Sequence, residues 1–170
     1  MAEASSQTVT VTVDANILIN LIHIERLTLL DAIPGYAFVV PQDVVAEAVV
    51  PAQRQHLDCA IAEERPRAEV ITEAEDLVAY ATYRTRLGRG ESACLVLAKR
   101  HGWLIASDER GRFQREAVQA LGAGRIVNTA GLIVMAIRAN LMTVEEADHA
   151  KAILERHRFR MPFGSFRDMT

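Results

Sequence analysis

The sequence predicts an α/β fold in which helices cover both faces of a parallel sheet. Short β-branched or apolar runs alternate with longer segments that carry apolar residues at helical spacing. Strands that are separated by helices form βαβ units, in which the strands run parallel. The chain has 170 residues, half of them hydrophobic, which is enough for one domain with a single core.

In the first half of the chain, Val9–Val13 is β-branched and predicts a strand, and the turn signal Pro34-Gly35 precedes the next one. Pro41 fits the entry of a helix because its missing N–H is not needed there. Thr72 and Glu75 have capping-box spacing. The predicted strands are residues 9–13, 37–40 and 68–71, and the predicted helices are residues 16–21, 25–32, 41–51, 53–64 and 72–87.

In the second half, Gly88-Arg89-Gly90 interrupts the helical pattern, and Thr143 and Glu146 form another capping-box pattern. Strands are predicted over residues 103–106 and 125–127, and helices over residues 91–101, 109–121, 129–139 and 143–157. These boundaries predict one domain over residues 1–157 and a C-terminal tail over residues 158–170 that mixes arginine with phenylalanine.

Composition places few limits on function. The net charge is −3, and cations that neutralise four carboxylates would bring it to +1, so a polyanionic partner is not excluded. Cys59 and Cys94 have no metal-ligand spacing and predict reduced thiols of a cytoplasmic protein. Residues 1–7 lack the pattern of a secretory signal, and the apolar run 15–30 contains too many polar residues for a membrane span, so no membrane association is expected.

Two aspartates lie just past predicted strands: Asp14 directly after Val9–Val13, and Asp108 after residues 103–106 and Ser107. In parallel α/β sheets, ligands bind beyond the carboxyl ends of the strands, so the two side chains are expected at one edge. An unpaired buried carboxylate is costly, whereas a divalent cation offsets the repulsion within a group of them. Glu47 and Glu91, on predicted helices, are candidates for the same group.

Each acid also has a simpler interpretation. Asp14 and Asp108 both fit the N-cap of the helix that follows, although Asn16 is an alternative cap that would free Asp14. Glu91 at a helix start is favoured by the helix dipole, and Glu47 fits a solvent-facing helix position. Glu109 is either a first-turn acid or an additional ligand. The histidines lack zinc-site spacing, and the chain has no GxSxG, Walker or GxGxxG motif.

Four motifs give the chain a resemblance to PIN domains, closest to the prokaryotic proteins related to VapC-type toxins. They occur in the order and at the spacing of that family, and the resemblance covers nearly the whole chain. The motifs are Val13-Asp14-Ala15-Asn16, Pro41-Gln42-Asp43-Val44-Val45-Ala46-Glu47, Gly90-Glu91-Ser92-Ala93 and Ala106-Ser107-Asp108-Glu109, and Gly111-Arg112 and Asn128-Thr129-Ala130-Gly131 fit the same subgroup. Ser107 departs from the threonine of many such toxins but keeps the hydroxyl.

The resemblance implies a three-layer α/β/α fold and a Mg²⁺- or Mn²⁺-dependent endoribonuclease, the toxin of a toxin–antitoxin pair. The implied metal ligands are Asp14, Glu91 and Asp108, with Glu109 as an auxiliary ligand. Glu47 is implied as a further catalytic residue, either a ligand or one that orients water. Asn16 and Ser107 are implied as auxiliary polar residues. Oxygen ligands of this kind suit Mg²⁺ or Mn²⁺.

RNA, a cognate antitoxin protein and a second copy of the chain are the expected partners. The clustering of Arg110, Arg112 and Arg115 after Asp108 suggests that they hold the RNA backbone, although a solvated helix face explains it equally well. Helices in residues 16–32 and 43–50 are candidates for a homodimer interface. The main alternative is a PIN-like protein that acts mainly as a protein-binding or RNA-binding module, with little or no nuclease activity. A haloacid-dehalogenase-type phosphatase is disfavoured because Asn16 replaces its second aspartate, and a receiver domain because its acidic pair and late lysine are missing.

Overall fold

A five-stranded parallel sheet forms the centre of the molecule in a computed structural model that describes residues 8–47, 51–63 and 66–170. The strands are β1 (Val9–Val13), β2 (Tyr36–Pro41), β3 (Arg67–Glu69), β4 (Leu104–Ala106) and β5 (Ile126–Val127). They lie in the order β3-β2-β1-β4-β5, so the two that end next to Asp14 and Asp108 are neighbours. This confirms the predicted parallel α/β arrangement.

Helices connect the strands and cover the sheet as an α/β/α sandwich. The helices are α1 (Ala15–His23), α2 (Leu29–Ala32), α3 (Gln42–Glu47), α4 (Pro51–Ala62), α5 (Ala74–Arg84), α6 (Arg89–His101), α7 (Arg112–Leu121), α8 (Thr129–Arg138) and α9 (Val144–Arg156). The α6 helix contacts β1, β2 and β4 and packs between α5 and α7, whereas α1 packs with α8 and α9.

Three predicted helices are shorter in the structure. Only α2 is helical within residues 25–32, because Glu25 adopts φ = 55° and breaks the run. The α5 helix starts after Glu73, not Thr72, and ends at Arg84. Residues 109–111 precede α7 as a loop, since Gly111 takes φ = 64° at its N-cap. Parts of the predictions for residues 41–51, 53–64 and the 43–50 interface lie outside the described residues.

The C-terminal segment packs onto the rest of the chain. Phe166 is fully buried and Met161 is 7% exposed, and both belong to the hydrophobic core. Asp148 on α9 accepts hydrogen bonds from the Ser165 hydroxyl at 2.6 Å and the Phe166 N–H at 2.7 Å. Residues after α9 therefore form part of the folded unit in this structure.

Two further observations bear on the sequence-based expectations. Cys59 is exposed and Cys94 is buried, and neither forms a disulfide. In residues 8–47, 51–63 and 66–170, none of the helices has the length and apolar character that crossing a membrane requires.

Candidate active site at the carboxyl edge of the sheet

Asp14 lies where β1 becomes α1. Its N–H donates to the Ala106 carbonyl of β4 at 2.9 Å, which extends the pairing of the two strands by one residue. Its carboxylate caps α1 by accepting from the Ala15 N–H at 2.8 Å, and it accepts from the Ser107 hydroxyl at 2.9 Å. The side chain is 3% exposed. Of the two caps that the sequence allowed, Asp14 therefore takes the position, and Asn16 lies within the helix.

The pKa of Asp14 indicates a carboxylate in an unfavourable environment. This pKa is raised from 3.8 to about 6, chiefly by burial and in smaller part by the negative charges of Glu91 and Glu109, against the hydrogen bonds from Ser107 and Ala15, which lower it. The influence of Glu91 and Glu109 shows that the fold brings their charges close to Asp14, although they come from a helix and a loop distant in sequence.

Asp108 follows β4 and is held by three donors. One oxygen accepts from the Thr129 N–H at 2.9 Å, and the other accepts from the Thr129 hydroxyl at 2.5 Å and the Asn20 amide at 3.0 Å. Burial raises the pKa of Asp108, these hydrogen bonds lower it, and the charge of Glu109 raises it. The carboxylate bonds to the first residue of α8, so it is fixed by an element other than its own.

Asn16 connects the two strand-end acids. Its amide N–H groups donate to Asp14 at 3.2 Å and to Glu109 at 3.1 Å, and its carbonyl oxygen accepts from the Asp108 N–H at 3.1 Å. The Ser107 hydroxyl, which donates to Asp14, accepts from the Glu109 N–H at 3.1 Å. The two residues predicted as auxiliary polar groups thus fix the relative positions of Asp14, Asp108 and Glu109.

Glu47 and Glu91 approach the same region from α3 and α6. Glu47 accepts from the Gly90 N–H at 2.9 Å, and Glu91 accepts from the Gly88 N–H at 2.7 Å as the capping-box partner of its own helix. Cys94, one turn along α6, is their common neighbour. Burial raises the pKa of the Cys94 thiol, and the charges of Asp14, Glu47 and Glu91 raise it further.

Within the part of the chain that the structure describes, the acids lack basic partners. Among the ion pairs of the described residues, none joins a lysine or arginine to any of the five acids Asp14, Glu47, Glu91, Asp108 and Glu109. A cluster of carboxylates without cations is the arrangement that a divalent cation stabilises.

The chemistry of these donors fits a hard cation such as Mg²⁺, which prefers carboxylate oxygens. Their present positions do not form a closed coordination shell, since no three of the histidine, cysteine, aspartate and glutamate side chains in the described part of the chain converge on a common point. Glu47 and Glu91 instead point to backbone N–H groups of α6 and its N-cap. The side chains of these two glutamates would have to turn for either to contact a cation shared with Asp14.

Asn20 and Thr129 support the site. Neither was predicted as a site residue, although Thr129 belongs to the Asn128-Thr129-Ala130-Gly131 motif. Asn20 is 6% exposed on the otherwise apolar face of α1, and Thr129 is fully buried. Asn20 also donates to the Thr129 hydroxyl at 3.2 Å. Two signals were available: an amide among the apolar residues of α1, and a threonine two residues after the last strand, the position that Asp108 occupies after β4.

The three arginines near Asp108 have different surroundings. Arg110 lines a cavity of roughly 620 Å³ together with Asp108 and Glu109. Arg112 donates to the Arg86 carbonyl at 3.3 Å, and Arg115 is exposed on α7. The cavity lies at the carboxyl ends of β4 and β5, so Arg110 is the one of the three next to the acids.

Comparison with known proteins agrees with this architecture. The DUF3368 family, described as a PIN domain, matches residues 10–166, which is nearly the whole chain and includes all five acids. No curated protein and no solved structure gave a match.

Proposed function

Because the chain belongs to the DUF3368 family of PIN domains, a nuclease-type fold, we propose that it is a Mg²⁺- or Mn²⁺-dependent endoribonuclease. The observation that carries the proposal is the group of acids at the carboxyl edge of the sheet. Buried Asp14 and half-buried Asp108 both have raised pKa values. The charges of Glu91 and Glu109 contribute at Asp14 and that of Glu109 at Asp108, and no ion pair among the described residues compensates the two aspartates.

In this proposal, Asp14, Glu91 and Asp108 hold the cation and Glu109 assists them. When bound, the cation would lower the pKa of a water molecule and neutralise charge on the phosphodiester. Asn16 and Ser107 keep Asp14 and Glu109 in place, and Asn20 and Thr129 orient Asp108. Glu47 orients the attacking water or joins the ligands. Hydrolysis by water predicts a 5′-phosphate and a 3′-hydroxyl at the cut.

The biological setting is part of the proposal. We propose that the protein acts in the cytoplasm as the toxin of a toxin–antitoxin pair, held in check by a small antitoxin that inserts a peptide among the acids, and that it forms a homodimer. Free Cys59 and Cys94 suit a reducing compartment. The apolar residues Ile17, Leu18, Val44 and Val45 of the helices considered for the dimer interface are buried in this chain's own core.

RNA cleavage tests the proposed activity. Wild-type protein should cut RNA only when Mg²⁺ or Mn²⁺ is present, and Asp14→Asn and Asp108→Asn should each abolish cleavage. Asp168→Asn, an exposed aspartate in the C-terminal segment, is the matched control and should cleave as the wild type does. Metal-dependent cleavage that survives both active-site changes would refute the assigned site.

The second candidate is a PIN-like module that binds protein or RNA with little nuclease activity. It is favoured by one observation: the carboxylates are engaged by protein N–H and hydroxyl groups, and among the described residues no three converge as ligands. No cleavage of any RNA with either metal, combined with tight binding to a neighbouring small protein, would support the binding module over the nuclease.

A further inference from the structure

A cavity of roughly 620 Å³ adjoins the acids on the side of β4 and β5. Its volume lies within the range of small-molecule sites, about 300–1,000 Å³. Asp108 and Glu109 line one part, and Phe159, Arg160 and Met161, which follow α9, line another. The C-terminal segment, which sequence reasoning placed outside the domain, therefore contributes a wall of the space next to the proposed reaction centre.

The fold holds this wall in a defined position. At the end of α9, Arg158 adopts φ = 65° and its N–H donates to the Glu155 carbonyl at 3.0 Å. The Phe159 N–H donates to the Leu154 carbonyl at 3.0 Å, which completes a Schellman motif. Phe159 then packs against the core, and Met161 is buried. The chain reversal at Arg158 thus places the half-buried Phe159 ring in the cavity wall.

Two arginines bring positive charge to the cavity, beside its two acids Asp108 and Glu109. Arg110 and Arg160 both line it and are exposed. Within residues 8–47, 51–63 and 66–170, neither guanidinium forms an ion pair or hydrogen bond. Guanidinium groups bind phosphate in bidentate fashion, and aromatic rings stack on unpaired bases. An aromatic ring and two free arginines in one cavity are the components of a site for a single-stranded nucleotide.

We propose that this cavity is a subsite for one unstacked nucleotide of single-stranded RNA next to the cut. In it, Phe159 contacts the base, and Arg110 and Arg160 contact phosphates. The inference rests on the proposed function for its choice of RNA, but it makes a separate claim about binding. An RNA duplex keeps its bases stacked inside the helix, so the subsite selects single-stranded segments.

Binding of a fluorescently labelled single-stranded ribo-oligonucleotide, measured by anisotropy in EDTA so that no cleavage occurs, tests the subsite. Phe159→Leu keeps an apolar side chain but removes the ring, and it should weaken binding about fivefold or more. Phe159→Trp keeps a stacking surface and should restore binding. Arg160→Ala should lower the slope of log Kd against log salt by about 0.7. Arg167→Ala, an exposed arginine in the same segment that does not line the cavity, is the control and should leave the slope unchanged.

A series of oligonucleotides, each with one abasic position, identifies the nucleotide whose base contacts Phe159. Removal of the base at one position should lower the affinity of the wild-type protein for the oligonucleotide. For that abasic oligonucleotide, Phe159→Leu should cause no further loss of affinity. Thermal unfolding confirms that each variant is folded. If Phe159→Leu and Arg160→Ala are folded and bind like the wild type, the subsite is refuted even when the wild type cleaves RNA. If the wild type binds but never cleaves, and Phe159→Leu weakens binding as described, the subsite stands and the nuclease proposal fails.

Discussion

Gly90 donates its backbone N–H to a carboxylate oxygen of Glu47 at 2.9 Å, across 43 positions of sequence. The contact depends on the missing side chain of Gly90, because a Cβ there would lie 2.6 Å from the other Glu47 oxygen and 3.0 Å from Cγ2 of Val44. The glycine of the Gly90-Glu91 motif therefore lets the start of α6 approach α3 and place Glu47 beside the other acids.

Gly90→Ala should lower the rate of RNA cleavage while it leaves the stability of the protein nearly unchanged. Alanine favours the helix by about 1 kcal/mol, which offsets the steric cost, so the free energy of unfolding should change by less than about 1 kcal/mol. The flexible Glu47 side chain must move away, and RNA cleavage should fall at least about tenfold, a loss of roughly 1.4 kcal/mol in transition-state stabilisation. Urea unfolding and cleavage rates check this. Gly164→Ala, where a Cβ meets no atom within 4 Å, is the control. Full activity in Gly90→Ala would contradict the role of the contact.

Asp14→Asn should stabilise the cation-free protein at high pH. Since the pKa of Asp14 rises from 3.8 to about 6 on folding, its charge destabilises the folded state above pH 6. This cost is relieved as the pH falls from 6 towards 3.8. A shift of this size corresponds to at most about 3 kcal/mol, and asparagine also loses an acceptor, so a gain of about 1–2 kcal/mol is expected at pH 8.

Urea unfolding in EDTA at several pH values measures this gain. Most of the gain should be lost by about pH 4, because the folded-state carboxyl is then protonated and the unfolded-state carboxyl is close to its ordinary pKa of 3.8. Added Mg²⁺ should stabilise the wild type and not the variant. Asp168→Asn controls for loss of an exposed charge. A variant that is less stable than the wild type at pH 8 in EDTA would contradict the expected cost of the buried carboxylate.

Thr129→Val should leave the Asp108 carboxylate less firmly oriented. The change removes the hydroxyl that donates to Asp108 at 2.5 Å and leaves the backbone hydrogen bond in place. A hydrogen bond to a charged group contributes about 1.5–3 kcal/mol, so the free energy of unfolding should fall by a similar amount. Because this hydrogen bond lowers the pKa of Asp108, the variant should also lose activity at a higher pH than the wild type as the pH is lowered. Thr129→Ser keeps the hydroxyl and should retain the wild-type pH profile; an identical profile for Thr129→Val would argue against the orienting role.

The three arginines after Asp108 should contribute unequally to RNA binding. Arg110 lines the cavity beside the acids, whereas the Arg112 guanidinium donates to the Arg86 carbonyl. Arg110→Ala should therefore lower the salt slope of RNA binding by about 0.7, and Arg112→Ala and Arg115→Ala should lower it less. Binding titrations over a range of salt concentrations compare the three. Equal salt slopes for all three variants would contradict this prediction and would show that the three arginines contribute alike, as parts of one nonspecific basic surface.

Phe166→Ala should destabilise the whole domain. The Phe166 ring is fully buried in the core, and truncating such a residue costs about 3–5 kcal/mol. Met169 is 43% exposed in the same segment, so Met169→Ala should change stability by less than about 0.5 kcal/mol. Chemical denaturation followed by circular dichroism measures both. If Phe166→Ala were as stable as the wild type, residues after α9 would be a dispensable tail.

Sequence patterns predicted the parallel sheet and the neighbouring positions of Asp14 and Asp108, because both follow strands whose apolar character is local and strong. They did not predict contacts that depend on long-range packing. Asn20 meets Thr129 across 109 positions of sequence, and the chain around Asn20 gives no indication of its partner. The helix expected from residue 25 does not form there because Glu25 takes a left-handed conformation. Non-glycine residues seldom adopt this conformation, so the sequence does not predict it. Thr72 and Glu75 have the spacing of a capping box, yet the helix begins one residue later.

Cys94 and Cys59 together provide an internal measure of local opening. Cys94 is fully buried beside charges from three of the acids, whereas Cys59 is exposed. A thiol reagent should label Cys59 at once and reach Cys94 only when the packing around α6 opens. In a Cys59→Ser protein, Cys94 is the remaining thiol, and its labelling rate would therefore report how often the packing around the acids opens locally. A cation that binds the acids should make those openings rarer.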